Sequence, residues 1–530
     1  MILKTMRAHS LNYFRVATRG RCSRPIAYLS ARYGYGIRWS SSSSGSGERQ
    51  WSTPLAKSLA EAITTAGPVS VASYMRQCLT SPNGGYYTRQ TSGHDQFGAK
   101  GDFITSPEIS QVFGELVGIW LYTEWLAQGR RERSQVIEVG PGRGTLMGDV
   151  LRTISNFKPF SQSIDTVYLV EASPHLRKQQ AELLSGTEDL REVQNGWKAG
   201  CKYLPGRDIT WCEDIRFVPK DETTTPFILA HEFFDALPIH VFQNTTSSTI
   251  PAASKIITPT GPIIPKYGPQ VPRNQWHELV VSPAPSFSDP DIIRSKDLKE
   301  QKPEFQLTVS KTPTPHSLYL PQTSERYKAL ANTPDAVIEI SPESLAYVAD
   351  FAIRIGGSNA PKSSPSLSSH PSSSHPSGAA LILDYGPSST IPANTLRGIR
   401  SHQPVTPFLC AGEVDLSADV DFLALAESAI RASPGVEVHG PVEQAFFLRS
   451  LGIVERAQRL AEVARVAKEV RTEKGDEGDE MAKRVETGWK RLVDRGPTGM
   501  GRIYKAMAIV PHIGSGKVRR PVGFGGDVVG

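Results

Sequence analysis

The sequence predicts an α/β protein built on a parallel, doubly wound sheet. Short apolar runs typical of buried parallel strands recur along the chain, and amphipathic helical stretches separate them. The first of these runs, at 135–139, leads into a turn with three alternating glycines, and polar side chains follow several later strands. This combination is typical of a sheet that binds a ligand at the carboxyl ends of its strands.

Helices are expected to come first. Thr53 is a predicted N-cap, because Pro54 follows it in the first helical turn. A second helix begins at Ser70, and a third follows Ser106, which has the character of an N-cap. We therefore expect residues 51–130 to form a helical N-terminal cap.

The α/β body is expected to occupy residues 131–511. Its predicted strands begin at Val136 and continue with Thr166–Glu171, Asp208–Cys212, Pro226–His231, Ala379–Asp384 and a last strand within Gly501–Pro511. Helical patterns cover 145–154, a stretch that Ser173-Pro174 is predicted to cap, and 418–432, 441–451, 456–473 and 481–494. The acidic run Glu473–Glu480 between the last two is expected to be a solvated loop.

Two low-complexity insertions are expected to interrupt this body. Residues 245–320 are rich in Pro, Thr and Ser, with one strand-like run at Trp276–Val281. Residues 357–378 are almost all Ser, Pro, Gly and His, and this composition predicts a disordered loop. Residues 512–530 are expected to be a tail.

The distribution of charge separates the amino terminus from the rest of the chain. Residues 1–47 contain eight Lys and Arg side chains and no Asp or Glu, which is the composition of a mitochondrial transit peptide. An ordinary basic tail is the alternative. The remaining chain holds 51 basic and 53 acidic side chains, so the electrostatic signature of a nucleic-acid-binding protein is absent.

The cysteine pattern and the hydropathy exclude further classes of protein. Five cysteines occur without a C-x-x-C motif, which argues against a disulfide framework and against a zinc site, so we expect no metal. No apolar run approaches the ~20 residues of a membrane span, so stable membrane insertion is not expected.

The glycine turn predicts the kind of ligand. Residues 138–145 read Glu-Val-Gly-Pro-Gly-Arg-Gly-Thr, and Gly140, Gly142 and Gly144 let the backbone approach a ligand closely. A dinucleotide fingerprint would need glycine at position 145, which is Thr. The spacing is instead typical of S-adenosylmethionine (SAM) methyltransferases. A glycine-rich turn without a ligand is the alternative.

Three carboxylates are candidates for contacts to the same cofactor. Glu171 ends the second predicted strand, where its carboxylate can accept hydrogen bonds from both ribose hydroxyls. Asp214 follows the third strand and is a candidate for the adenine amino group, or for a helix cap. Glu138 lies inside the first strand and is expected to be hydrogen-bonded near the glycine turn, because an unpaired buried carboxylate is costly.

The fourth predicted strand ends in candidate catalytic residues. Its apolar run becomes polar at His231, Glu232 and Asp235, at the edge of the sheet where a methyl acceptor would lie. Two neighbouring carboxylates can bind the N–H groups of a guanidinium and orient one nitrogen for attack. The alternative is a strand–helix junction in which Asp235 caps backbone donors.

Four motifs together resemble the MidA-like family, the mitochondrial complex I assembly-factor protein arginine methyltransferases. The motifs are Gly101-Asp-Phe-Ile-Thr-Ser-Pro-Glu-Ile-Ser110, Glu138-Val-Gly-Pro-Gly-Arg-Gly-Thr145, Ala230-His-Glu-Phe-Phe-Asp-Ala-Leu-Pro238 and Asp415-Leu-Ser-Ala-Asp-Val-Asp-Phe422. The resemblance covers roughly residues 55–511, outside the two insertions. It implies a Rossmann-like class I SAM methyltransferase core with helical insertions.

The resemblance also implies a reaction, a place and a partner. The family acts in mitochondria and is associated with symmetric dimethylation of an arginine on the 49-kDa subunit of complex I, so a matrix enzyme with that protein substrate is expected. Asp102, Thr105 and Glu108 would close over the cofactor from the N-terminal side. Three alternatives stay open: a non-catalytic SAM-binding assembly chaperone, a methyltransferase acting on a small molecule or lysine, and an NAD-dependent oxidoreductase.

Overall fold

The computed structural model describes residues 49–89, 101–102, 104–246, 257–258, 261–262, 274–285, 302–358, 375–471, 477–512, 514 and 519–526. Residues Gln50–Gly530 group into one compact unit. The predicted transit peptide at 1–47 and most of the predicted loop at 357–378 lie outside the described residues. None of the described helices is both long enough and apolar enough to cross a membrane.

The helices of the described residues are numbered along the chain. They are α1 (Pro54–Ala66), α2 (Val71–Thr80), α3 (Ser106–Ile109), α4 (Gln111–Ala127), α5 (Thr145–Ile154), α6 (Lys158–Ser163), α7 (Pro174–Ser185), α8 (Pro315–Tyr319), α9 (Glu325–Lys328), α10 (Pro342–Gly356), α11 (Phe422–Ala432), α12 (Gln444–Ser450), α13 (Ile453–Arg471) and α14 (Glu477–Val493). Short 3-10 helices lie at Ile215–Phe217 and Leu320–Gln322.

The strands are numbered in the same way. They are β1 (Val69–Ser70), β2 (Ser134–Val139), β3 (Ile164–Val170), β4 (Arg191–Val193), β5 (Gly196–Gly200), β6 (Asp208–Cys212), β7 (Thr225–His231), β8 (His240–Thr246), β9 (Ile257–Thr258), β10 (Gly261–Pro262), β11 (Asn274–Pro283), β12 (Phe305–Val309), β13 (Val337–Ile340), β14 (Ala379–Tyr385), β15 (Arg397–Arg400), β16 (Gln403–Val405), β17 (Asp415–Ser417), β18 (Val436–Glu443) and β19 (Tyr504–Pro511).

The main sheet has nine strands, in the order β18-β19-β14-β7-β2-β3-β6-β5-β4. Its five central strands, from β14 to β6, are parallel, whereas the outer strands pair antiparallel. The prediction of a parallel sheet is therefore confirmed for the centre and wrong for the edges. The chain order reverses between β2 and β7, and in open α/β sheets ligands bind outside the strand ends at such a reversal.

Both faces of the main sheet are buried under helices. Because side chains alternate along a strand, Val136 of β2 packs in one core with α4, α5 and α7, while Ile137 packs in the other with α10 and α11. The result is a three-layer α/β arrangement, as the alternation of strands and helices predicts.

A second, five-stranded sheet contains β1, β11, β8 and β13, with β12 paired to β11. It forms another core with α1 and α2, whereas α4 packs on the main sheet. The helices predicted as one cap at 51–130 are thus divided between two cores. The stretch 245–320, which we expected to hold a single strand-like run at 276–281, supplies β11 and β12 to this sheet.

The ends of several elements differ from the predictions. Thr105, not Ser106, is the N-cap of α3, because the Glu108 side chain accepts from its backbone N–H in a capping box. Helix α14 begins at Glu477, inside the run expected to be a solvated loop. The caps predicted at Thr53 and Ser173 are confirmed, since each hydroxyl accepts a hydrogen bond from the first helical turn.

Candidate functional site

A cleft of about 600 Å³ opens at the carboxyl ends of β2, β3 and β7, beside the reversal in chain order. The glycine turn, Glu171, and residues 231–237 form its floor and sides. Residues from the N-terminal helical region and from the connections after β14 complete the walls: Leu79, Thr80, Tyr87, Thr88, Ile104, Thr105, Pro107, Glu108, Tyr385, Arg397, Ile399, Asp415, Asp419 and Tyr504.

The glycine turn has a backbone that other residues would adopt only with strain. The φ angles of Gly140, Gly142 and Gly144 are 64°, 54° and 83°, all in the left-handed region. A Cβ atom at Gly140 would lie 2.6 Å from Cδ2 of Phe233, so this glycine also allows the turn after β7 to pack against it. The close approach seen at Gly140 is to Phe233, and the predicted close approach of this backbone to a ligand stays a prediction.

Glu171 lies directly after β3 and is buried, with both carboxylate oxygens occupied. Oε1 accepts from the N–H of Ser173 at 2.7 Å, and Oε2 accepts from Nε2 of Gln180 at 3.2 Å. Burial raises the pKa of the Glu171 carboxyl to about 7, against the lowering effect of these hydrogen bonds. The structure thus holds this carboxylate in a fixed orientation at the wall of the cleft.

Gln180 connects three parts of the cofactor side, and sequence reasoning missed it. Its Nε2 donates to the carbonyl of Gly142 at 2.6 Å as well as to Glu171, and its Oε1 accepts from Nε1 of Trp211 at 3.0 Å. The residue is fully buried on α7. A glutamine within an amphipathic helix gives no local signal, so only the fold reveals its role.

Glu138 lines the cleft without the partner that we expected for it. Among the described residues, no hydrogen-bond donor reaches its buried Oε2. Burial alone raises the pKa of the Glu138 carboxyl to about 8. The prediction of a hydrogen bond near the glycine turn is therefore wrong for this oxygen, which is free to accept from a bound ligand.

Asp214 and its neighbour Glu213 lie differently from the predicted arrangement. Asp214 caps the short helix at Ile215–Phe217 by accepting from the N–H of Arg216 at 2.8 Å, and its other oxygen pairs with the Arg216 guanidinium. It is absent from the described lining of the cleft, whereas Glu213 lines it. The structure therefore gives Asp214 the geometry of the helix-capping alternative.

The turn after β7 is held by a buried aspartate from the neighbouring strand. Oδ2 of Asp384 accepts from the N–H groups of Phe233 and Phe234 at 3.1 and 2.9 Å. Glu232 at the start of this turn has a φ of 48°, a left-handed conformation that is strained for a glutamate. Asp384 ends the fifth predicted strand, so the strand-end rule could have found it.

Glu232 and Asp235 both line the cleft with unused acceptor capacity. Glu232 Oε1 receives one long hydrogen bond, from the N–H of Ser106 at 3.4 Å. Asp235 Oδ2 accepts a short hydrogen bond from the Tyr385 hydroxyl, and no donor among the described residues reaches its buried Oδ1.

These carboxyls hold their protons more readily than usual. Burial, followed by repulsion from Asp235, raises the pKa of Glu232 and of Asp415 well above the ordinary value. Burial also raises the pKa of Asp235, although Tyr385 and Arg397 oppose the shift. A cationic ligand would favour their ionised forms, because the opposite charge offsets what burial costs.

His231 lies beside this pair as a neutral imidazole. Burial lowers its pKa to about 3. Its Nε2 is 3.3 Å from Oε1 of Glu232 but makes no hydrogen bond among the described residues. His231 therefore adds polarity to the cleft without adding positive charge at neutral pH.

An aromatic wall from distant parts of the chain faces the carboxylates. Tyr385 packs edge-to-face on Tyr504 with ring centroids 5.3 Å apart, and the Arg397 guanidinium lies 4.7 Å from the Tyr385 ring. Arg397 is itself paired with Asp419 at 2.7 Å. Sequence reasoning missed these four residues because their neighbourhood depends on how β14, β15 and β19 assemble.

The three residues expected to close over the cofactor separate into two groups. Thr105 and Glu108 line the cleft, and Glu108 pairs with Arg143 of the glycine turn at 3.3 Å. Asp102 instead binds elsewhere: its carboxylate accepts from the Tyr86 hydroxyl at 2.8 Å and from the N–H of Ser401 at 2.7 Å. Asp102 anchors a loop outside the described cleft lining.

Acidic side chains dominate the ionisable groups that line the cleft. Eight acidic and two arginine side chains line it among the described residues, and both arginines, Arg143 and Arg397, are paired with one of those acids. Such a lining favours cations and disfavours anions, including the pyrophosphate of a dinucleotide. A sulfonium and a guanidinium are both cations of the favoured kind.

The residues on the cofactor side fit SAM in shape and in hydrogen bonding. The glycine turn allows close backbone approach, and Glu171 presents a carboxylate at the strand end. The buried, unpartnered Oε2 of Glu138 accepts a hydrogen bond that the protein does not supply. An ammonium group of the ligand is a donor of the right charge for it.

Comparison with known proteins agrees with this geometry. Residues 116–442 match a family described as "Putative S-adenosyl-L-methionine-dependent methyltransferase". The mitochondrial protein arginine methyltransferase NDUFAF7 of Danio rerio is 36% identical over 412 residues, which span 76% of this chain and 78% of that protein. The Homo sapiens protein of the same name is 32% identical over 463 residues, 87% of this chain and 84% of that one.

A solved structure shares the fold. The crystal structure of a Burkholderia thailandensis protein bound to S-adenosyl-homocysteine superposes with a TM-score of 0.57 and 21% sequence identity. The match covers 87% of this chain and 92% of that one. The α/β architecture described above is therefore found in a known protein over nearly its whole length.

Proposed function

The chain belongs to this family of S-adenosyl-L-methionine-dependent methyltransferases, and we propose that it is a mitochondrial protein arginine methyltransferase. The observation that carries the proposal is the pair Glu232 and Asp235, two buried carboxylates with free acceptor capacity. They lie in the same cleft as the glycine turn. A guanidinium needs acceptors of this kind, and few other biological nucleophiles do.

The residues on the cofactor side bind SAM and orient it. When bound, SAM supplies a methyl group made electrophilic by its sulfonium. The backbone at Gly140–Gly144 approaches the methionine portion, Glu171 accepts from the ribose hydroxyls, and Glu138 accepts from the ammonium. Thr105 and Glu108 cover the cofactor from the N-terminal side. Asp214 acts as a helix cap, and Glu213 is the better candidate for a polar contact at the adenine end.

The acceptor side orients one nitrogen of the arginine and disperses charge. Glu232 and Asp235 accept from the guanidinium N–H groups and direct the remaining nitrogen along the line of the methyl transfer. Asp384 fixes the turn that carries them, and the Tyr385–Tyr504 wall excludes water on the opposite side. The carboxylates also accept the proton that the methylated guanidinium releases, because their raised pKa makes them better bases than ordinary carboxylates.

The cellular setting follows from the relatives and from the amino terminus. The similar proteins are named as mitochondrial, and residues 1–47 have the composition of a presequence. We propose a location in the matrix and symmetric dimethylation of an arginine on the 49-kDa subunit of complex I during its assembly. We propose further that the central sheet is the Rossmann-like core and that α4 caps it, whereas α1 and α2 pack on the second sheet.

The test combines cofactor binding with product analysis. Calorimetric titration of SAM into the protein should give saturable binding, and Gly142→Val should bind at least 100-fold more weakly, because a branched side chain is strained at a φ of 54°. The parent incubated with SAM and the 49-kDa subunit should yield methylarginine in that subunit, identified by mass spectrometry.

Each alternative function has its own outcome in this test. SAM binding without methylated subunit, together with a Gly142→Val variant that still supports complex I assembly, would favour the assembly chaperone. Methylated lysine or a methylated small molecule would replace arginine as the acceptor. Absence of SAM binding by the folded parent would remove the methyltransferase proposal altogether, and NADH binding would then favour the oxidoreductase.

A further inference from the structure

We propose that His240, Glu278 and His316 form a binding site for one divalent transition-metal ion, with Zn²⁺ as the best fit. His240 and Glu278 lie on the second sheet and His316 lies on the adjoining helix α8, away from the described lining of the cleft. They are the one group of three or more His, Cys, Asp or Glu residues in the described part of the chain whose potential ligand atoms all lie within 4.8 Å of one another.

The geometry is close to what Zn²⁺ requires. Nδ1 of His240 lies 2.7 Å from Oε1 of Glu278, and Nδ1 of His316 lies 4.0 Å from Oε2 of the same carboxylate. With Zn–N and Zn–O bonds of about 2.1 Å, neighbouring ligand atoms of a tetrahedral site lie roughly 3.4 Å apart. The two separations, measured to the two oxygens of one carboxylate, lie on either side of this value, so the site requires a slightly longer His240–Glu278 contact and a closer approach of His316.

The carboxylate at the centre of the group needs positive charge. Glu278 is almost fully buried, with a side-chain exposure of 2%. Its hydrogen-bond donors are the Thr314 hydroxyl and the His240 ring, and the only described groups within ion-pair distance are the two histidines. A divalent ion would supply this charge directly.

The two imidazoles are prepared to act as ligands. Their ring centroids are 4.1 Å apart with an interplanar angle of 35°. Each ring presents its Nδ1 toward the Glu278 carboxylate. Thr314 caps helix α8 and hydrogen-bonds Glu278, which holds His316 in the turn beside the carboxylate.

The donor set distinguishes among ions. Two imidazole nitrogens and one carboxylate oxygen suit Zn²⁺, whereas Mg²⁺ and Ca²⁺ prefer all-oxygen sites. His316 is 54% exposed, so an ion reaches the site from solvent and keeps water in its fourth position. Because the ligands come from β8, β11 and α8, the ion would fasten the start of β8, five residues after Asp235, to the rest of the second sheet.

The experiment is a calorimetric titration of Zn²⁺ into the full chain without an affinity tag, repeated with Mg²⁺. We expect one Zn²⁺ per chain, release of protons in buffers of different ionisation enthalpy, a raised melting temperature, and no saturable binding of Mg²⁺. His316→Ala should weaken Zn²⁺ binding at least 10- to 100-fold. Its side chain is exposed, so this variant should fold normally.

The chain contains a matched control. His512 is similarly exposed and pairs with Glu437, which also lies near His439, but these three do not converge as the proposed ligands do. His512→Ala should leave Zn²⁺ affinity unchanged. Absence of saturable Zn²⁺ binding to the parent, or equal weakening by His316→Ala and His512→Ala, would overturn the proposal, whatever the outcome for methyl transfer.

Discussion

The two halves of the cleft are built in opposite ways. On the cofactor half, both oxygens of Glu171 already have donors, and Gln180 ties this carboxylate to the glycine turn. On the acceptor half, Glu232 has one long hydrogen bond, and Asp235 has an oxygen without a donor among the described residues. Glu171 is thus satisfied in advance, whereas Glu232 and Asp235 keep acceptors free.

This difference indicates two physical tasks. A preorganised carboxylate loses little entropy when it binds a neutral hydroxyl pair, so the cofactor half is suited to affinity. Buried carboxylates without donors gain most when a cation arrives, so the acceptor half is suited to recognising and aligning a guanidinium. Substitutions in the two halves should therefore change different constants.

The largest effect is expected from Glu232→Ala, which removes an acceptor that acts on the reacting group. We expect kcat to fall about 100- to 1,000-fold, by analogy with the loss of one transition-state hydrogen bond, while the Kd for SAM changes by less than about threefold. Single-turnover methylation and calorimetric SAM titration measure the two quantities. Glu232→Gln keeps the shape of the side chain and loses its charge, so its kcat should lie between those of the parent and of Glu232→Ala.

An equal loss of SAM affinity and of turnover in Glu232→Ala would contradict the division of the cleft. Because Glu232 has a left-handed backbone, thermal unfolding of the variant should be recorded alongside the kinetics. Alanine retains a Cβ and so keeps the left-handed strain, while loss of the buried carboxyl removes its desolvation cost, so this melting temperature is not expected to fall.

Glu171→Ala should show the converse pattern on the cofactor half. The lost hydrogen bonds to a charged acceptor are worth about 2–3 kcal/mol, so the Kd for SAM should rise about 30- to 150-fold while kcat at saturating SAM stays within about fivefold. Glu213→Ala is the matched control, since Glu213 also lines the cleft but is more than half exposed. A larger effect at Glu213 than at Glu171 would refute the assigned roles.

The cofactor half could be predicted from the sequence because it is local. One strand, one turn and the end of the next strand supply Gly140–Gly144 and Glu171, and each follows a rule about residue spacing. On the acceptor half only Glu232 and Asp235 could be predicted, because they lie within a single segment of the chain. Tyr385, Arg397 and Asp415 come from connections after β14, and their approach depends on the assembly of the sheet.

The errors of prediction have the same physical origin. The antiparallel edges of the main sheet, including β18 and the β4–β5 pair, have half-exposed side chains and lack the continuous apolar runs that identify central strands. Asp214 could not be distinguished from Glu213 by sequence, because adjacent residues after a strand point in opposite directions. Gln180 gave no signal, because its partners lie on other elements.

Gln180→Leu should have a smaller effect that still belongs to the cofactor half. The substitution keeps the volume but removes donors to Gly142 and Glu171, so the Kd for SAM should rise about tenfold. It should also raise the pKa of Glu171 further, because the Gln180 hydrogen bond lowers it. A shift of the pH dependence of SAM binding to higher pH measures this effect, which a general loss of stability would not produce.

The smallest expected effect is the release of protons from Glu232 and Asp235 when an arginine peptide binds. Because burial raises the pKa of Glu232 and of Asp235 in the free protein, an incoming guanidinium should expel protons as it pairs with the ionised forms. Affinity for an arginine peptide should therefore rise with pH through the raised pKa range, and fall as the carboxyls protonate. If one proton is released, the affinity for the arginine peptide changes by at most about tenfold per pH unit. Calorimetry in two buffers of different ionisation enthalpy should detect proton release, and Glu232→Gln should reduce it. Binding without proton release would mean that the carboxyls are already ionised in the free protein, and would contradict their raised pKa values.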